Sequence, residues 1–214
     1  MSKIYDLSDK EQRTAGLVAA KAAINADELA VIPTDTVYGV AADAFSHIGV
    51  KILLAAKARG ANFPPPVLIS SKDSVSTLAR DVSEDAQKLM DKFWPGGLTL
   101  IFHAQSTLDW DLGENKGTVA LRVPDQKDTL ELITLSGPLA VSSANRHGEK
   151  AATTIEEAHK QLGEAVQVYL DAGDLGAESE SSTIVDATQS PMKIVRQGSI
   201  SAEELQEAVT DIKV

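Results

Sequence analysis

The chain has 214 residues, 43% of them apolar and 24% charged, and it contains no cysteine. This is close to the soluble globular average and excludes collagen-like, coiled-coil or wholly disordered sequence, while the missing cysteine excludes disulfides, a thiolate nucleophile and a cysteine-ligated metal. Twenty basic against 31 acidic residues leave a net charge of −11, which lacks the global footprint of a nucleic-acid binder and leaves room only for a local basic groove.

At roughly 150 residues per domain, one domain over 1–214 is expected. The opening Met1-Ser2-Lys3-Ile4-Tyr5-Asp6 is polar, unlike a signal peptide. No apolar run approaches the roughly 18 residues of a membrane helix, so a cytoplasmic location is the default. Ala and Val at helical spacing predict a helix over Glu11–Asn25, followed by a buried strand over Leu29–Pro33. A helix over Ile48–Ala58 has Ser46 as its N-cap, and three prolines in Gly60–Pro66 then impose an extended path. Val67–Ser70 and Leu98–His103 read as strands around a helix over Ser83–Phe93. Thr118–Val123 alternates, with Val119, Leu121 and Val123 on one face and Thr118, Ala120 and Arg122 on the other. No helix separates it from Leu98–His103, so some antiparallel pairing, and hence a mixed sheet, is expected. Leu139–Ser142, Val166–Leu170, Thr183–Val185 and Lys193–Val195 complete the strands. Thr154…Glu157 and Ser201…Glu204 match the capping box and open two helices. Ala172–Ser182, rich in Gly, Ser and acid, reads as a mobile loop. Alternating strands and helices predict an α/β fold: a twisted open mixed sheet with helices on its faces.

Five segments offer chemistry, each with an ordinary structural alternative. Pro33-Thr34-Asp35-Thr36-Val37-Tyr38-Gly39 leaves a strand in hydroxyls, where an α/β sheet binds ligands, yet Thr and Asp also build turns. Lys57 and Arg59 suit an anion, and equally the dipole of the helix they end. Arg122 suits a carboxylate or the solvent beside an edge strand. Ser142-Ser143-Ala144-Asn145, and Ser182–Asp186 followed by Arg196-Gln197-Gly198, suit a phosphate or a hydroxyl-bearing substrate, or ordinary turns. There is no P-loop, no G-x-G-x-x-G, no H-E-x-x-H and no G-x-S-x-G, and the four histidines are scattered. A polar pocket for a small anionic ligand is as far as spacing leads.

The order of the segments goes further. Pro33-Thr-Asp-Thr-Val-Tyr-Gly39, Lys57-x-Arg59, Trp94-Pro-Gly-Gly-Leu-Thr99, Arg122-x-Pro124, Ser143-Ala-Asn145, Ser182-Thr-Ile-Val-Asp186 and Arg196-x-Gly198 together resemble the YrdC-type threonylcarbamoyl-AMP synthase family, in its short form. The resemblance implies a YrdC-like fold with a concave, positively lined cavity. It implies an L-threonylcarbamoyladenylate synthase, a nucleotidyltransferase that joins L-threonine, bicarbonate and ATP (with Mg²⁺) and releases pyrophosphate. A partner complex then carries the threonylcarbamoyl group to tRNA. Lys57 and Arg59 would be catalytic, and would hold ATP together with Thr118, Ser143, Asn145 and Arg196. Thr36, Arg122, Ser142 and Ser182 would hold L-threonine, and direct tRNA binding would be weak. Gly60–Pro66 and Ala172–Ser182 would exclude water from the labile intermediates.

Two departures stand out. The family commonly has Lys-Gly-Arg-Pro where this chain has Lys57-Ala58-Arg59-Gly60, and Leu68 occupies the place of a family histidine beside the amino acid. An RNA-binding or ribosome-maturation module of the same fold, and a paralogue acting on another carbamoyl substrate, are the alternative readings.

Overall fold

The computed structural model describes residues 1–60, 62–176 and 179–214; Ala61 of the proline segment, and Ala177 and Glu178 of the acidic loop, lie outside the described residues. In chain order the elements are β1 (Lys3–Asp6), α1 (Lys10–Asn25), β2 (Ala30–Ile32), β3 (Gly39–Asp43), α2 (His47–Ala56), β4 (Val67–Leu68), α3 (Val75–Leu78), β5 (Ala79–Arg80) and α4 (Glu84–Phe93). Then follow β6 (Leu98–Ala104), β7 (Thr118–Arg122), α5 (Lys127–Ser136), β8 (Leu139–Ser143), α6 (Ile155–Leu162), β9 (Val168–Asp171), β10 (Thr183–Asp186), β11 (Met192–Arg196), α7 (Ala202–Ala208) and β12 (Ile212–Lys213). The strands form one mixed sheet in the order β1-β9-β2-β3-β8-β4-β7-β6-β10-β11-β12, with β5 paired to β6 off this path. As expected, β6 and β7 run antiparallel, Leu100 opposite Leu121 and His103 opposite Thr118.

Both faces of the sheet are covered, because successive residues of its inner strands feed two separate cores. Ala30, Ile32, Ala41, Leu139, Val141, Val168 and Leu170 pack under α1 and α5. Their strand neighbours Val31, Val40, Ala42, Ala140 and Tyr169 pack on the opposite side, with residues of α2, α4, α6 and α7. This two-sided burial explains the continuous apolar runs of the inner strands. At the turn into α5, Arg13 of α1 donates from Nε to the buried Asp128 at 2.6 Å, which ties the two helices of the smaller core together.

The helix starts follow their caps. Ser46 accepts from Gly49 N–H at 2.9 Å, and Ser83 from Ala86 N–H at 3.2 Å. Ser201 and Glu204 form a complete reciprocal box. Thr154 caps α6, but Glu157 returns its carboxylate to Thr153 N–H rather than to the cap itself. Sequence reading missed β1, β3 and α5. The first is a short edge strand, and β3 opens on Gly39, where a Cβ would lie 2.6 Å from Val141 of β8. Among the described residues no helix is long and apolar enough to cross a membrane.

Helix α2 ends two residues earlier than the apolar pattern suggests. Ala58 takes φ 51°, Ala58 N–H donates to Ala55 O, and Arg59 N–H donates to Leu54 O, both at 2.9 Å. These two bonds around a left-handed residue make a Schellman motif, whose preferred occupant is glycine. An alanine there bears the strain of a left-handed L-residue. Ala58→Gly should therefore raise stability in urea denaturation by roughly 0.5–1 kcal/mol, the relieved strain less the extra entropy glycine gives the unfolded chain. Stability equal to or below that of the native chain would show that Ala58 carries no such strain.

Candidate active site

The strand ends of β3, β7 and β8, with β6 and β10 beside them, surround a cavity with about 1070 Å³ of empty space counted to its open mouth. Arg122 lies at its centre and is only 5% exposed. Its Nε donates to Gly96 O at 2.9 Å, one terminal nitrogen donates to Thr36 Oγ1 at 3.1 Å, and the other donates to Asp35 Oδ1 at 2.7 Å. Three of its five N–H groups are engaged by the described residues, and two are not. Burial lowers its pKa from the ordinary arginine value and the adjacent Asp35 works against that shift. Asp35 Oδ1 also accepts Asp125 N–H at 2.9 Å, so one carboxylate fixes both the guanidinium and the chain beyond β7.

Around this centre the hydroxyls form short chains. Thr34 Oγ1 accepts N–H from Thr36 and Val37, donates to Val37 O at 2.6 Å and lies 2.9 Å from Thr36 Oγ1. The Ser182 hydroxyl lies 2.9 Å from Thr99 Oγ1 and accepts from Arg196 at 3.2 Å. Arg59 donates to Ser142 Oγ at 3.0 Å and places its guanidinium 5.3 Å from the Phe63 ring centroid. Its Nε is buried and has no acceptor among the described residues.

Arg196 stands at the exposed rim, donating to Ser182 O at 2.6 Å. Partial desolvation of its head group, and then repulsion by Arg59 and Arg122, lower its pKa. Gly198 follows because the backbone leaves no room: a Cβ there would lie 1.9 Å from Ser181 O. Thr183, with its hydroxyl accepting from Gly198 N–H and Ile200 N–H, closes this corner. No carboxylate is among the described residues that line the cavity, which makes it a cationic hollow in an acidic chain.

Of the residues expected from sequence, Thr36, Arg59, Thr118, Arg122, Ser142, Ser143, Ser182 and Arg196 line this one cavity, as does Leu68, paired in register with Arg122. Lys57 and Asn145 do not line it. Lys57 is 2% exposed, with its ammonium donating to Ser143 O, to Asn145 O at 2.5 Å and to Asn145 Oδ1 at 3.2 Å. On either side of the left-handed Ala58, Lys57 turns inward while Arg59 reaches the cavity. Desolvation, and then repulsion by Arg59, pull the Lys57 pKa down to about 8. The Thr118 hydroxyl is engaged by Asn115 O at 2.6 Å.

Sequence reading assigned no role to Thr34, Asp35, Thr99 or Asn115. Their signal was local for Thr34 and Asp35, inside the first motif, and absent for Asn115. The proline segment supplies a wall through Pro64–Pro66, and the acidic loop supplies Ser181 and Ser182. Tyr38, fully buried, anchors the start of that loop: its hydroxyl accepts Ala172 N–H at 2.9 Å and donates to Gly173 O at 2.7 Å.

The family described as Sua5/YciO/YrdC, "Telomere recombination", matches residues 22–198. A putative threonylcarbamoyl-AMP synthase of Mycobacterium leprae is 43% identical over 209 residues, covering 98% of this chain and 94% of that protein. The crystal structure of Pyrococcus abyssi Sua5 complexed with L-threonine superposes with a TM-score of 0.92 at 29% identity, over 99% of this chain, which spans 62% of that longer one. Escherichia coli YciO shares the fold, with a TM-score of 0.84 at 21% identity over 96% of this chain and all of the other.

Lys57 gives the site a pH signature. An unfolded lysine keeps its proton to near 10.5 and the folded one releases it near 8. Between these values the unfolded chain binds more protons, so the Lys57 contribution to stability rises with pH. Relative to Lys57→Met, the native chain should gain stability from pH 8 to 10.5, with a slope of at most about 1.4 kcal/mol per pH unit. Parallel stability curves for the two proteins would show that the buried ammonium titrates normally.

Proposed function

The chain belongs to the Sua5/YciO/YrdC family, and from that premise we propose that it converts L-threonine, bicarbonate and ATP to threonylcarbamoyl-AMP and pyrophosphate, for threonylcarbamoyladenosine modification of tRNA. The observation that carries this reading is the cavity itself, where three arginines converge and no carboxylate among the described residues lines the wall. The threonine amine takes up bicarbonate as a carbamate, with loss of water. A carbamate oxygen then attacks the α-phosphorus of ATP and pyrophosphate leaves. Two anions must approach each other, so catalysis calls for fixed positive charge where negative charge gathers.

Arg122 has two unengaged N–H groups beside the Thr36 hydroxyl and suits the threonine carboxylate as a planar fork. Ser142 and Ser182 stand nearby for its polar atoms. Arg59, with its orphan Nε, and Arg196 at the rim suit the phosphates. Thr118 and Ser143 lie along the remaining nucleotide wall. Lys57 and Asn145 act through position, holding the end of β8 that presents Ser142 and Ser143. Mg²⁺ would enter as part of the nucleotide substrate, borne on its phosphates. Transfer to tRNA falls to a partner assembly, in keeping with a net charge of −11, and any direct tRNA contact is weak and salt-dependent.

Pyrophosphate release should require L-threonine, bicarbonate and MgATP together. Release independent of threonine would favour a different carbamoyl substrate, and tight tRNA binding that ATP does not displace would favour an RNA-binding module. Arg122→Lys keeps the charge and loses the fork, so the KM for threonine should rise at least tenfold with a smaller change for ATP. An unchanged threonine KM would place the carboxylate elsewhere.

A further inference from the structure

Residues 105–117, between β6 and β7, form a strap whose alternate side chains Leu108, Trp110 and Leu112 pack against the larger core. Trp110 stacks on Phe45, just ahead of α2, with ring centroids 5.4 Å apart and 27° between the planes. The strap ends in a tight turn. Thr118 N–H donates to Asn115 O at 2.9 Å, and the two residues between, Lys116 and Gly117, have φ of 50° and 75°. Positive φ at both central positions is the mark of a type I′ hairpin turn. The turn brings Asn115 to the cavity wall, close to Thr118 and thus about 13 Å along β7 from Arg122.

The Asn115 amide has a fixed orientation. Its Oδ1 accepts Gly117 N–H at 3.2 Å, and a flipped amide would set donor against donor. Its Nδ2 makes no hydrogen bond among the described residues. The cavity is thus left with a donor beside an acceptor, next to the apolar surface of Pro65, Leu112, Val119 and Ile184. Adenine presents the complementary pair, a ring nitrogen that accepts beside an amine that donates, which is why asparagine pairs with it through two bonds. Guanine and hypoxanthine place a carbonyl oxygen where adenine has its amine, so that oxygen would face Oδ1.

We propose that Asn115 reads the adenine ring of the nucleotide substrate and sets the preference for adenine over hypoxanthine and guanine nucleotides, on a strap held in place by the Trp110–Phe45 stack. This rests on the nucleotide-dependent reaction proposed above. The test is calorimetric binding of ATP and of ITP to the full chain, with L-threonine binding and pyrophosphate release measured alongside. The native chain should prefer ATP. Asn115→Ala should weaken ATP roughly 10- to 100-fold and ITP far less, leaving L-threonine affinity within about twofold. Asn115→Asp keeps the acceptor for Gly117 N–H, and hence the turn, but replaces the donor; it should weaken ATP at least as much as the alanine does. A native ATP-to-ITP ratio in both variants overturns the proposal. ATP binding without pyrophosphate release would overturn the proposed reaction, with the ratio still deciding the role of Asn115. A native chain that binds neither nucleotide overturns both.

Discussion

A guanidinium taken almost wholly out of water is costly unless its charge and its N–H groups are answered, and a buried charge left without its partner costs several kcal/mol. Arg122 is answered from three directions by groups on different parts of the chain: Gly96 O, Thr36 Oγ1 and the carboxylate of Asp35. Those acceptors belong to the segment after β2 and the segment before β6. The same Asp35 oxygen also binds Asp125 N–H, beyond the end of β7. One ion pair therefore aligns three stretches that lie dozens of residues apart in sequence, and the cavity is the space between them. Its direction matters as well. Arg122 lines the cavity wall and Asp35 does not, so the cation of the pair is the member that the cavity meets.

Among the described residues Arg59 and Arg196 have no such carboxylate. Arg59 leans on Phe63 and Ser142, and Arg196 on the Ser182 carbonyl and hydroxyl. These are neutral partners, and they leave most of each charge uncompensated. Desolvation lowers both pKa values, and Arg196 is further lowered by repulsion from its neighbours. An arginine stays protonated through such shifts, so the repulsion persists as stored unfavourable energy that an incoming anion relieves. On the proposed reading, a polyphosphate would meet a site already arranged for it. The acidic exterior confines that attraction to the cavity and disfavours long polyanions over the rest of the surface.

The large features of this arrangement were legible in the sequence because they rest on local patterns. The caps at Ser46, Ser83 and Ser201, the alternation of Thr118–Val123 and the absence of a helix between β6 and β7 each carry their own physical signal. The hydroxyl and arginine motifs likewise mark strand ends, and the sheet gathers most of them at one place. What escaped depends on contacts distant in sequence. β3 reads as weak partly because Gly39 answers to the closeness of Val141 rather than to strand propensity. Asn115 sits in a polar, glycine-bearing stretch that looks like any connection until the turn and the Trp110 stack place it against the cavity.

Lys57 and Arg59 show the limit most clearly. Two cations one residue apart look like one motif with one role, and on a continued helix or strand their directions would follow from the period alone. The left-handed Ala58 breaks that period, and the structure buries one cation while the other reaches the cavity. The inward ammonium holds the carbonyls of Ser143 and Asn145 at and just past the end of β8, the strand whose Ser142 and Ser143 line the cavity. Arg59 then closes the loop of dependence by donating to that same Ser142. The pair works as one device after all: the buried charge holds the strand end beside which the other charge meets the cavity.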